Sequence, residues 1–400
     1  MKPLLMTNEY PPNVYGGAGV HVEYLSRELS KLMPVEVRSF GSQNIEDPKL
    51  SVFGTGLDDS GFTCPKGLRS VFGALQRNLG FNTRAIDADL VHCHTWYTHF
   101  GGIMAKLNYG IPLVLTVHSL EPLRPWKREQ LGGGYDFSSW VERTAIEMAD
   151  AIIAVSEGTR VDVLKHFHVD PEKIHIIYNG IDPDEYQKVD PTAALEKFGI
   201  DPKQPYVLFV GRITRQKGII YLVNAIRHMN PDFQIVLCAG APDTPEIAAE
   251  MKTAVAEASK NRSGVFWIDE MVDKKTVIQL YSGAEVFCCP SIYEPFGIIN
   301  LEAMACETAV VGASVGGIPE VVVHDQTGYL VPVAQIHESP FTPLEPEHFS
   351  KDIASQINRL MANPERRAAF AKAGRQRAID TFSWAAIAKE TSELYASLVK

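Results

Sequence analysis

Short apolar runs rich in β-branched residues alternate along the chain with longer amphipathic stretches. Residues 3–7, 35–40, 90–94, 112–118, 151–156 and 174–178 read as strands in the first half, and 206–211, 234–239, 264–268, 286–290, 309–312 and 328–331 in the second. Residues 19–33, 136–149, 219–228 and 246–259 carry helical spacing. Strands that are apolar throughout are buried on both faces, and when helices separate them they form parallel sheets. Two such series predict an α/β fold of two Rossmann-like, doubly wound parallel-sheet domains. The turn-rich stretch 179–184 marks the boundary, giving domains 1–185 and 186–383. A last helical segment, 384–400, follows with no strand after it.

Composition narrows the class. Four hundred residues suit two cores rather than one. A hydrophobic content of 45% and a charged content of 22% are those of a soluble globular protein. A net charge of −10 argues against nucleic acid or an anionic membrane surface as partner. The N-terminal apolar run is too short for a secretory signal, and no run approaches the length of a membrane span. The six cysteines form no C-x-x-C pair and read as buried free thiols, so a reducing, cytoplasmic setting is expected. Whether the chain forms oligomers is not encoded legibly.

Candidate chemistry concentrates in Glu294-Pro295-Phe296-Gly297-Ile298-Ile299-Asn300-Leu301-Glu302. Pro295 and Gly297 suit a turn before a helix. Glu294 is then expected on the loop, with Glu302 about two turns into the helix. The first-turn N–H groups between them favour an anion. A sugar nucleotide carries hydroxyls, phosphates and a ribose in a matching linear order. The spacing alone also fits two carboxylates on a solvated helix face. Arg212 and Lys217 follow the first strand of the second half, in Gly211-Arg212-Ile213-Thr214-Arg215-Gln216-Lys217-Gly218. There a guanidinium and an ammonium suit a pyrophosphate. Tyr15-Gly16-Gly17-Ala18-Gly19 follows the first strand of the first half and opens a helix, so backbone amides of Gly16 and Gly17 can approach a phosphate. It is neither a dinucleotide fingerprint nor a P-loop.

Other residues are more ambiguous. His118 ends a strand, where an imidazole either hydrogen-bonds a sugar hydroxyl or buffers charge. His92 and His94 would share a strand face, but no carboxylate or cysteine pair completes a metal site. Asp87/Asp89 and Asp182/Asp184 read as surface turns, and no metal or other cofactor is predicted. The segment Ser314-Val315-Gly316-Gly317-Ile318-Pro319-Glu320 is explained as a glycine turn.

Together these segments resemble the family 4 retaining glycosyltransferases, in particular the compact glycogen synthases of the actinobacterial type. The resemblance runs nearly end to end and is carried by 9–21, 118–135, 209–218 and 294–307. It implies a GT-B fold with a deep interdomain cleft, an acceptor-binding first domain onto which the last helix packs back, and a donor-binding second domain. Arg212, Lys217 and the amides of Gly17 and Ile298 would stabilise the leaving diphosphate. Glu294, with the Phe296 and Gly297 amides, would bind the donor glucose, Glu302 the ribose, and His118 the sugar without acting as nucleophile. The Lys that larger starch-type synthases carry before the paired glycines is Val14 here, and the family's His-Asp-Trp is His94-Thr95-Trp96. Some members of this branch extend an α-glucan from ADP-glucose; others transfer to glucose 1-phosphate and make maltose 1-phosphate. Glucan synthesis from ADP-glucose, ahead of UDP-glucose, is the leading expectation, with maltose-1-phosphate synthesis as the alternative. Trp96, Tyr97, Arg124 and Lys127 are the expected acceptor contacts. Arg124, Lys127 and Arg128 read either as a solvated charge run or as a site for the phosphate of glucose 1-phosphate. An NAD-dependent oxidoreductase lacks its glycine fingerprint here, and a closing sugar-binding protein gives no reason for Arg212 and Lys217.

Overall fold

A computed structural model describes residues 1–14 and 16–399, without the side chains of Glu129, Gln130 and Asn261. Tyr15, in the glycine segment, lies outside the described residues. The chain divides into two units, residues 1–180 with 384–400, and residues 181–383. The division falls after Gly180 rather than after residue 185. Ile181 N–H donates to Phe382 O (2.7 Å), and Arg375 donates to the carbonyls of Pro183 and Tyr186, which ties the stretch after Gly180 to the second unit.

The first unit holds an eight-stranded sheet of β1 (Pro3–Thr7), β2 (Val35–Phe40), β3 (Asn44–Ile45), β4 (Leu50–Thr55), β5 (Leu90–His94), β6 (Leu113–Val117), β7 (Ala151–Ala154) and β8 (Ile174–Ile176). Its order is β3-β4-β2-β1-β5-β6-β7-β8, parallel except for the short, exposed β3. β1, β5, β6 and β7 are buried throughout, as expected for strands covered on both faces. β3 and β4 are not announced by the sequence. In β4 only Val52 is buried, so no continuous apolar run marks it.

The second unit holds β9 (Tyr206–Arg212), β10 (Gln234–Gly240), β11 (Val265–Ile268), β12 (Val286–Cys289), β13 (Ala309–Ala313) and β14 (Gly328–Val331), all parallel, in the order β11-β10-β9-β12-β13-β14. In both sheets the order reverses beside the first strand, at β1/β5 and at β9/β12. Loops leaving the carboxyl ends of strands at such a switch point diverge and leave a ligand-sized crevice.

The helix Trp384–Leu398 packs into the first unit's core. Trp384 stacks on Tyr24 with ring centroids 5.7 Å apart and planes 7° from parallel. Its neighbours include Val22, Leu25, Val37 and Val114 of the same cluster.

Candidate functional site

In the second unit the switch-point loops lock together. β9 ends at Arg212, and its loop turns into the helix Ile219–Ala225 at Gly218 (φ +62°). A Cβ at Gly218 would stand 2.1 Å from Pro290 O, so only glycine allows this approach. Ile292 N–H donates to Gln216 O (2.9 Å) across the two loops. Lys217 Nζ is thereby held 2.7 Å from Glu294 Oε2, which also accepts from Ser291 Oγ (3.2 Å). Two motifs 77 residues apart meet at this pair. Burial pulls the Lys217 pKa down, but the Glu294 carboxylate outweighs it and the net shift is upward, so the ammonium stays charged. Arg212, half-exposed, pairs with Asp243 Oδ1 at 3.1 Å.

The segment Ser314–Glu320 is more than the plain turn its sequence suggests. Gly317 N–H donates to Glu294 O (2.9 Å), and a Cβ at Gly316 (φ +52°) would lie 1.9 Å from that oxygen. The turn therefore fixes the backbone of Glu294. Gly316→Ala combines a left-handed strain with a backbone clash and is expected to destabilise by about 2 kcal/mol or more. Chemical denaturation measures it; an unchanged midpoint together with unchanged turnover would show that the clamp is not needed.

The helix Ile298–Ala305 starts from Gly297 in the left-handed region (φ +96°). Glu302 is its fifth residue, so it sits a little over one turn in, not two, because Gly297 lies outside the helix. Phe296 is buried against Phe382. Glu302 accepts from Tyr186 Oη (3.3 Å) at Oε1 and from Tyr281 Oη (3.1 Å) at Oε2. Burial pushes its pKa up to about 7, and the two phenols oppose that rise. The tyrosines, distant in sequence from each other and from the helix, carry no motif that would have announced them.

In the first unit β5 delivers His94 and β6 is followed at once by His118. His94 Nδ1 lies 3.1 Å from His118 Nε2. His21, from the helix Gly17–Leu29, joins them, its Nδ1 2.7 Å from Asn179 Oδ1. One nitrogen from each of the three rings falls within 4.8 Å of the others. His92 shares the strand face of His94, with ring centroids 4.2 Å apart, but both its nitrogens are engaged, by Tyr395 Oη (2.6 Å) and Thr116 Oγ1 (2.7 Å). The pairing of His92 with His94 weighed from sequence is thus replaced by His21, His94 and His118. Burial lowers the pKa of His94 and His118 far below the usual range and that of His21 to about 4. The rings are neutral at pH 7, so His118 can donate or accept a hydrogen bond but does not buffer charge.

The glycine segment differs from the expectation in one respect. Gly16 N–H is not open to a phosphate, because it donates to Glu9 Oε2 at 2.8 Å. Gly17 has nothing within 4 Å of where a Cβ would stand and leaves the open approach.

The basic cluster separates into three kinds of residue. Lys127 is buried, 2.7 Å from Glu121 Oε1, and burial followed by the nearby Arg124 lowers its pKa. Its place as an acceptor contact is therefore corrected: Lys127 holds the loop together, with Ser138 Oγ on the other oxygen of Glu121. Arg128 is exposed and paired with Asp136. Arg124 alone keeps donor capacity near His118: Nη1 reaches Ser119 Oγ (3.2 Å), and its buried Nε has no partner among the described residues. Trp96 is 4% exposed and stacked on Tyr97 (4.3 Å), so it cannot present a ring face to a sugar. Tyr97 remains half-buried.

Residues 15–185 match the family described as Glycosyltransferase Family 4, and residues 191–339 match Glycosyl transferases group 1. The chain is 48% identical over 399 residues to an α-maltose-1-phosphate synthase of Mycolicibacterium smegmatis, covering 99% of each chain. The chain is a family 4 glycosyltransferase. A second α-maltose-1-phosphate synthase, from Mycobacterium tuberculosis, is 45% identical over 401 residues, again with 99% of each covered. As a family member this glycosyltransferase is a retaining, nucleoside-diphosphate-sugar-dependent enzyme. Its fold is GT-B: a sucrose-phosphate synthase from Thermosynechococcus elongatus superposes with a TM-score of 0.78 at 23% identity, covering 100% of this chain and 99% of that one. The catalytic domain of starch synthase IV from Arabidopsis thaliana gives 0.73 at 18%, covering 99% and 100%. No helix among the described residues of the glycosyltransferase is long and apolar enough to cross a membrane.

Proposed function

We propose that this glycosyltransferase moves glucose from ADP-glucose to glucose 1-phosphate, with retention, releasing ADP and α-maltose 1-phosphate. The observation that carries the reading is the near-full-length identity, at 45% and 48%, to two α-maltose-1-phosphate synthases. Two features of the first unit support it over glucan extension. Arg124 has unused donors next to Ser119, which suit a phosphate. Trp96, the aromatic platform that a neutral glucan would favour, is buried. Glucan extension, the leading expectation from the sequence, becomes the second reading.

In the second unit Lys217, Arg212 and the helix start at Ile298 take the diphosphate. An ammonium has three donors, so pairing with Glu294 leaves Lys217 two for phosphate oxygens. Glu294 takes the hydroxyls of the donor glucose and Glu302 those of the ribose. As the glycosidic bond to phosphate lengthens, charge grows on the leaving diphosphate. Cations already in place stabilise it without reorganising. No side chain is assigned as nucleophile: the acceptor hydroxyl attacks on the face the diphosphate leaves, passing its proton to that diphosphate. In the first unit Arg124 takes the acceptor phosphate and neutral His118 hydrogen-bonds a sugar hydroxyl.

The test is product analysis with ADP-glucose, offering glucose 1-phosphate and glycogen in parallel and repeating with UDP-glucose. Maltose 1-phosphate with stoichiometric ADP is expected. Glycogen extension with no use of glucose 1-phosphate would refute the proposal.

The place given to Glu302 adds a pH prediction. Its folded pKa is about 7, and ribose hydroxyls would donate to the ionised carboxylate. Binding ADP therefore favours loss of the proton. ADP affinity should rise with pH up to about 7 and level off above it, by at most about tenfold per pH unit. The nucleotide's terminal phosphate titrates nearby, so the signal is the difference between wild type and Glu302→Gln in calorimetry. Parallel pH profiles would remove Glu302 from the nucleotide site.

A further inference from the structure

We propose that His21, His94 and His118 form a site for a borderline-soft divalent metal ion of the Zn²⁺ class, and that filling it blocks transfer. The three rings each bring one nitrogen to within 4.8 Å of the others, inside a single unit. His94 Nδ1 and His118 Nε2 are already 3.1 Å apart, close to the edge of about 3.3 Å of a tetrahedron with Zn–N bonds of about 2.0–2.1 Å. A ring adjustment of up to about 1.5 Å at His21 closes the set.

The second shell is also built. Asn179 Oδ1 accepts from the His21 ring at 2.7 Å, which requires the proton on Nδ1 and leaves Nε2 with a lone pair. That Nε2 is buried without a partner among the described residues. Buried polar atoms left unpaired are costly unless a ligand or ion serves them. Three neutral imidazoles suit a transition metal, and imidazole is a preferred Zn²⁺ ligand. The N–H shared by His94 and His118 can move to an outer ring nitrogen, so binding requires no net loss of a proton. His92 does not compete, since Tyr395 and Thr116 hold both its nitrogens. The fourth position opens beside His118, which is only half-buried. The ion would occupy His118 itself and withdraw it from substrate, so the site is inhibitory rather than required for turnover.

The experiment is calorimetric titration of ZnSO₄ into the full chain, free of affinity tag and stripped with EDTA. One ion per chain is expected. Asn179→Ala should weaken it about ten- to a hundredfold, and His21→Ala and His118→Ala should abolish it. His348→Ala, at the exposed His348–Asp352 pair (3.4 Å), should leave it intact. No stoichiometric binding by wild type, survival of the site in both histidine variants, or its loss in His348→Ala would each overturn the proposal. If His21→Ala does not fold, His118→Ala, half-buried at the rim, carries the comparison. Co²⁺ in place of Zn²⁺ should give the intense visible bands of tetrahedral nitrogen ligation; weak octahedral bands refute the geometry. Filling the site should stop transfer and EDTA should restore it. That arm rests on the role proposed for His118: undiminished turnover at full occupancy overturns the inhibitory half and that role together, and a normal product with no metal binding overturns the site alone.

Discussion

Lys217→Ala is expected to lower kcat by roughly a hundredfold or more. Removal of one preorganised donor to a developing oxyanion costs about 3 kcal/mol. Lys217 also anchors Glu294 at 2.7 Å, so its loss leaves that carboxylate with Ser291. Arg212→Ala should cost a similar factor through the phosphate alone, because its partner Asp243 is a separate residue. The two variants differ in stability. Lys217→Ala leaves a buried carboxylate without its cation, whereas Arg212 is half-exposed and its removal is cheap for the fold. Steady-state kinetics on folded variants, with denaturation midpoints beside them, separate these effects. Near-normal kcat in either variant would remove that residue from the leaving-group site.

Arg124→Ala should raise KM for glucose 1-phosphate by roughly thirtyfold, the effect of losing about 2 kcal/mol from a charge-assisted hydrogen bond. KM for the donor should not move. Lys127→Met should behave oppositely. It removes the cation from a buried pair and leaves Glu121 uncompensated, which costs about 3–5 kcal/mol of stability. In protein that remains folded, acceptor KM should change little. Arg128→Ala, at an exposed pair, should be close to neutral in both measurements. If Arg128→Ala raises acceptor KM and Arg124→Ala does not, the phosphate lies on the outer face of the loop instead.

What the sequence disclosed follows from how each feature is encoded. Strands such as β1, β6, β7 and β13 are legible because burial on both faces leaves a largely apolar run. β3 and β4 are hidden because they lie at an edge and need no such run. Arg212, Lys217, Glu294 and Glu302 stand in local motifs next to strand ends, so spacing alone indicates them. The partners that tune them come from elsewhere in the chain: Tyr186 and Tyr281 for Glu302, Gly316 and Gly317 for Glu294, Asn179 for His21. No local pattern records such contacts. The basic loop shows the same limit most clearly. Arg124, Lys127 and Arg128 are alike as a charge run, but Glu121, six residues before Lys127, claims one of them, and Asp136 claims another. Charge counted along a sequence does not reveal which cations are already neutralised.

The return of the helix Trp384–Leu398 to the first unit has a consequence for synthesis of the protein. On the ribosome, residues 1–180 emerge first, yet their core lacks Trp384, Ile387 and Tyr395 until the whole second unit has been made. Until then the Tyr24 face and the Nδ1 side of His92 stay uncovered. Vectorial folding is thus inverted here. The second unit can consolidate while the first still waits for its last helix, and a ribosome that stalls within that helix leaves a nascent chain with an open first core for chaperones or proteases to meet.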